Sequence, residues 1–131
     1  MQIRVARIYG SPTVEKGEIP LLVDRLWPRG LSKESVPGLR WMKEWAPSST
    51  LRQWFHAHPE EFGTFRERYL SELSGEQSKI SGDLARLERE TGKEASGLRL
   101  LLLYGARDPN HNNALVLRDY LASLARPRPI P

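Results

Sequence analysis

The residues best suited to chemistry fall in two short polar segments, each following an apolar run. The first, Asp24-Arg25-Leu26-Trp27-Pro28-Arg29-Gly30, follows Leu21-Leu22-Val23. The second, Tyr104-Gly105-Ala106-Arg107-Asp108-Pro109-Asn110-His111-Asn112, follows Leu100–Leu103. Arginine offers a planar fork of donors that fits carboxylate or phosphate oxygens two at a time. Arg25, Arg29 and Arg107 are therefore the candidate anion-binding groups, with Trp27, Gly30, Gly105, Asp108 and Asn112 completing the ligand-contacting set. Gly105 lets the backbone come close to a ligand. Asp24, Tyr104 and His111 are the candidates for moving a proton, and Asp24 could instead orient an arginine. Structural roles stand beside these: Arg25 could pair with Asp24 or Glu44, Arg107 with Asp108, and Asp108 or His111 could simply cap a helix.

The chemistry is bounded by what the chain lacks. It has no cysteine, which excludes disulfides and thiolate metal sites. It carries no nucleophile elbow, P-loop or glycine-rich dinucleotide fingerprint, so no cofactor is implied. His56 and His58 are two residues apart, not at the i, i+4 spacing of a helical zinc pair, and no metal site can be assigned. Trp27, Trp41, Trp45, Trp54 and Phe55 form a dense aromatic stretch. These rings could stack a base or sugar, or serve as core or lid packing.

The elements that must position these groups follow from periodicity. Gln2–Tyr9 alternates as a strand does, and Gly10-Ser11-Pro12 stops it. Leu21-Leu22-Val23 and Leu98–Tyr104 are apolar on both faces, as buried strands are, and the second should be central. An irregular stretch separates Pro28 from Ala46. Three helices then follow, opened by capping boxes at Thr50–Gln53 and Ser74–Gln77 and by His58-Pro59 between them. Their buried faces are Phe62, Phe65, Tyr69 and Leu73, then Ile80, Leu84 and Leu87, and Gly92 ends the third helix. Asp108-Pro109 reads as the N-cap and first turn of a last helix that buries Ala114, Leu117, Leu121 and Leu124.

The strand–helix–strand order predicts a mainly parallel sheet in a single three-layer α/β domain, flanked by amphipathic helices. That domain should span 1–125, with 126–131 an extended Arg/Pro tail. In such sheets, ligands bind at the carboxyl ends of strands. If the two apolar runs are parallel, both polar segments share one edge, and the second precedes a helix N-terminus that favours anions.

The 131 residues suit one core. No apolar run approaches the ~20 residues of a membrane span, and no signal peptide opens the chain, so a soluble cytoplasmic protein is expected. Net charge is +4. Residues 1–58 hold 9 basic and 5 acidic groups, 59–97 hold 6 and 9, and 98–131 hold 5 and 2. The basic excess therefore sits with the expected sheet and its loops, where it either attracts anionic partners or forms a solvated surface.

Several blocks together resemble the YeaO-like branch of domain-of-unknown-function family 488: Leu22-Val-Asp-Arg-Leu-Trp-Pro-Arg-Gly-Leu31, Trp45-Ala-Pro-Ser48, Leu51-Arg-x-Trp-Phe-His56, Phe65-Arg-x-Arg-Tyr69, and Leu102-Leu-Tyr-x-Ala-Arg-Asp108 with His111-Asn112. The resemblance covers about 4 to 124 and implies a small prokaryotic protein of unassigned role. Other branches of that family end the last strand with a cysteine and open the next helix with Cys-His-Arg. Tyr104 is similar in place to the first cysteine, and His111-Asn112-Asn113 lies near the second. Thiol chemistry therefore does not carry over.

Three functions fit these residues. The first is a pocket for a phosphate- or carboxylate-bearing small molecule, built from loops 24–30 and 104–112, with or without catalysis. The second is nucleic-acid binding through basic loops and tryptophans, although no basic recognition helix supports it. The third is a non-catalytic protein-interaction domain, including self-association through the aromatic patch.

Overall fold

A computed structural model describes residues 1–94 and 97–125. The expected tail, 126–131, lies outside the described residues. The element order is β1 (Gln2–Arg7), β2 (Ile19–Leu22), β3 (Arg40–Trp41), a 3-10 turn at Lys43–Trp45, α1 (Ser49–Ala57), α2 (Phe62–Gly75), α3 (Gln77–Thr91), β4 (Arg99–Tyr104) and α4 (Asn113–Ala125). The strands form one sheet in the order β1-β4-β2-β3, every pair parallel. The fold is a single α/β domain.

β4 lies inside the sheet, as its leucines predict, and all of Leu100–Tyr104 is buried. Period-2 alternation divides its side chains between two cores. Leu100, Leu102 and Tyr104 join Leu21, Trp45, Phe65, Tyr69, Ile80, Leu117 and Leu121 on one face. Leu101 and Leu103 join Ile8, Leu22 and Val36 on the other. The buried helical residues all belong to the first core. The second face is covered by Val14, Trp27, Leu31 and Leu39 from the segment between β1 and β3. The third layer is thus irregular chain where helix was expected. Pro12, Gly17, Pro20, Pro28, Gly30, Pro37 and Gly38 explain this, because no helix survives that density of breakers.

β3 was expected to be irregular. Its two residues carry no periodic signal, and they become an edge strand only by pairing with Leu21 and Leu22. Pro20 is tolerated inside the sheet for a geometric reason. The Leu22 carbonyl accepts from Met42 on the β3 side, and alternation turns Pro20 to that same side. β3 begins opposite Leu21, so the missing N–H of Pro20 costs no ladder bond.

The helix starts differ from the sequence expectation at every cap. α1 is capped by Ser48, whose Oγ accepts from Leu51 N, and Thr50 lies inside the helix. Glu72 reinforces this cap, since its carboxylate accepts from Ser48 N and Oγ at 2.8 and 2.6 Å. α2 starts at Phe62, three residues after Pro59, and α3 starts at Gln77 with no side-chain cap from Ser74. α4 starts at Asn113, where Asn112 Oδ1 accepts from Leu115 N at 3.1 Å. Gly92 does end α3, at φ +70°.

Candidate functional site

Both polar segments leave the carboxyl ends of β2 and β4, which are parallel neighbours. They therefore share one edge of the sheet. A cavity of about 600 Å³ opens there, lined by Asp24–Pro28, Gly105–Asp108, His111–Asn113, and by Tyr9, Pro47, Arg52, Phe55, His56, Pro59 and Phe65. That volume lies within the usual range for small-molecule sites.

Asp24 holds the floor together. Its Oδ2 accepts from Gly105 N at 2.9 Å and its Oδ1 from Asn113 Nδ2 at 3.3 Å. Asn113 also donates to the Val23 carbonyl at 2.8 Å, and the Trp41 indole donates to the Asp24 carbonyl at 2.8 Å. Burial pushes the Asp24 carboxyl above its ordinary pKa, against the opposing pull of the Gly105 N–H, Asn113 and the nearby Arg52 guanidinium. Gly105 is needed for clearance: a Cβ there would sit 3.0 Å from Asp24 Oδ2.

The arginines have different fates. Arg25 lines the cavity, but its guanidinium donates to the Pro47 and Ala46 carbonyls at 2.8 and 3.2 Å, tying β2's loop to the entrance of α1. Neither Asp24 nor Glu44 is its partner. Arg107 is exposed on the cavity rim. Arg29 and Gly30 are exposed and do not line the cavity. The Arg29 carbonyl accepts from the Tyr9 hydroxyl at 2.9 Å, and Gly30 adopts φ +77°.

Tyr104 is buried in the helical-side core and is not on the lining. His111 and Asp108 are exposed rim residues, paired through Nδ1 and Oδ2 at 2.9 Å. Asp108 also accepts from Asn110 N at 2.9 Å. That N–H, then His111, hold its carboxyl below the ordinary range. Asp108 therefore folds its own loop and does not cap α4. Asn112 is buried by its capping role and donates to the Asp108 carbonyl at 3.0 Å.

Arg52 joins these residues without having been singled out in the sequence. With Phe55 and His56 it stands at i, i+3 and i+4 on α1, so one helical face supplies all three to the cavity. The Arg52 Nε is buried and has no hydrogen-bond partner among the described residues. The available signal was this helical spacing, hidden because Arg52 also sat inside an apparent capping box. Tyr9, just past β1, and Asn113, at the start of α4, also line the cavity with polar groups and were not among the candidate residues.

The tryptophans do not form one surface. Trp45 is fully buried and donates to Asp83 at 2.8 Å. Trp54 stacks on His58 at 4.9 Å with Arg68 over its ring. Trp27 lines the cavity, donates to the Leu31 carbonyl at 2.8 Å, and meets Trp41 edge-on at 5.5 Å. No group of three or more histidine or acidic side chains among the described residues is placed to hold a metal. No described helix is long and apolar enough to cross a membrane.

A parallel sheet with helices on one face and a ligand-sized cavity at its carboxyl edge defines a small α/β protein of the open-sheet class. The chain belongs to the DUF488 family: the family model described as "Inactive DUF488-N3 subclade" matches residues 2–128. It is 39% identical to the uncharacterised protein YeaO of Escherichia coli over 126 residues, covering 95% of this chain and 100% of that protein. It is 40% identical over 92 residues to uncharacterised proteins of Mycobacterium bovis and Mycobacterium tuberculosis, covering 70% of this chain and 73% of each of those. No solved structure matches significantly.

Proposed function

We propose that the cavity at the carboxyl edge of β2 and β4 binds a small molecule through an anionic group, and that the protein works by binding it. The observation that carries this reading is Arg52. A buried donor without a partner costs about 1–3 kcal/mol, and a native structure keeps such a group for a reason. Arg52 also lines the cavity, so an anion there would meet the accessible part of a guanidinium whose inner Nε the fold leaves unpaired. Arg25 and Arg107 add positive charge to the same lining. Catalysis is disfavoured by the lack of a nucleophile among Asp24, Tyr104 and His111: Asp24 is occupied as an acceptor, Tyr104 is off the lining, and His111 is paired at the rim. The "inactive" description of the matching subclade points the same way.

Thermal unfolding with phosphate, sulfate and small carboxylates, in wild type and Arg52→Gln, tests the reading. An anion at a hundred times its dissociation constant should stabilise the wild type by about 2.7 kcal/mol, and the variant far less. Stabilisation by no anion, or equal stabilisation of both proteins, overturns it. Nucleic-acid binding finds little support, because Trp45 is buried and Trp54 stacks on His58 apart from the edge-on Trp27–Trp41 pair, so the tryptophans offer no continuous stacking surface.

A further inference from the structure

Resting on the reading of the cavity as an anion site, we infer that its ligand is an aromatic monocarboxylate, selected over phosphates by a lining of one net positive charge beside an apolar wall. The charge balance is read from the lining itself. Arg25, Arg52 and Arg107 share the lining with Asp24 and Asp108, leaving one positive charge when the histidines are neutral. A monoanion is matched. A phosphate monoester, largely dianionic at neutral pH, would bring a second charge with no counterpart. Uncompensated charge in a partly dry site is strongly disfavoured.

The rest of the lining defines the body of the molecule. Leu26, Trp27, Pro28, Pro47, Phe55 and Phe65 are all on the wall. The half-buried Phe55 stacks on the buried Phe65 at 4.2 Å, which holds its ring firm near the Arg52 side of the cavity. Acetate would leave most of the ~600 Å³ and this wall uncovered, whereas a ring joined to a carboxylate covers both features. Aromatic rings gain by offset or edge contact with such a surface in addition to the area they bury.

Titration calorimetry with phenylacetate, acetate, phenyl phosphate and inorganic phosphate at pH 7.5 tests this. Phenylacetate should bind about tenfold or more tighter than acetate, from burial of its ring, and tighter than either phosphate. Arg52→Gln should lose about tenfold or more, and Arg52→Lys should recover part of that loss. In a 15N spectrum, phenylacetate should shift the Trp27 indole signal and leave those of Trp45 and Trp54 in place, a readout that needs no variant. If either phosphate binds tighter than phenylacetate through Arg52, the carboxylate assignment is overturned while the anion site stands. If acetate matches phenylacetate, the aromatic part is overturned. If no probe binds, or Arg52→Gln binds all of them unchanged, both readings fail together.

Discussion

At the scale of single residues, Asp24 and Gly105 are the pair on which the cavity floor depends. The Asp24 carboxylate cannot retreat from an added methyl group, because Gly105 N–H and Asn113 hold its two oxygens. Gly105→Ala should therefore cost about 1–3 kcal/mol, read by urea denaturation, even though this glycine needs no unusual backbone angle. Asp24 also links stability to pH. Its folded pKa is raised, so between the ordinary aspartate value and that raised value the folded state binds the proton more tightly than the unfolded chain. The favourable contribution is fully present below the ordinary value and is lost as pH rises through the folded one. Subtracting the pH profile of Asp24→Asn from that of wild type should expose this downward slope. A difference that rises with pH over that window would contradict the assigned burial.

At the scale of elements, the helix starts show how local signals compete. Thr50-Leu51-Arg52-Gln53 satisfies the capping-box pattern, yet Ser48 caps α1. The deciding interaction is remote in sequence: Glu72 on α2 accepts from both Ser48 N and Ser48 Oγ and fixes the chain at that residue. Ser48→Ala should cost about 1–2 kcal/mol, since the cap and its charged partner go together. Thr50→Ala, at an exposed position inside the helix, should change stability by less than about 0.5 kcal/mol. Comparing the two chemical-denaturation midpoints checks the ordering, and a larger loss for Thr50→Ala would restore the sequence-based cap. The same competition moves the N-cap of α4 from Asp108 to Asn112.

At the scale of the whole molecule, the sheet has one helical face and one face covered by irregular chain. Leu102 points to the first and Leu103 to the second, with equal chemistry and full burial. Both truncations to alanine should fall within the ~2–5 kcal/mol typical of buried leucine. Leu102→Ala should be the more costly, because packed helices relax into a void less readily than a loop layer does. Equilibrium unfolding of the two variants measures this directly, and equal losses would mean that the loop layer is as rigid as the helical one.

The sequence by itself determined β1, β2 and β4, though not β3, together with the buried faces of the helices and the edge on which polar groups gather. Alternation in Gln2–Arg7, the unbroken leucines of β4 and the helical spacing of Phe65, Tyr69 and Leu73 each express burial that any compact fold must satisfy. Tertiary structure alone decided which polar groups share the cavity. Arg25 turned to two carbonyls near α1, Arg29 pointed elsewhere, and Tyr104 went into the core. Arg52 arrived from a helix that spacing along the chain could not bring near β2. The physical reason is that hydrophobic burial is a local, periodic property of the chain, whereas the partner of a polar side chain is set by where distant backbone donors and acceptors come to rest.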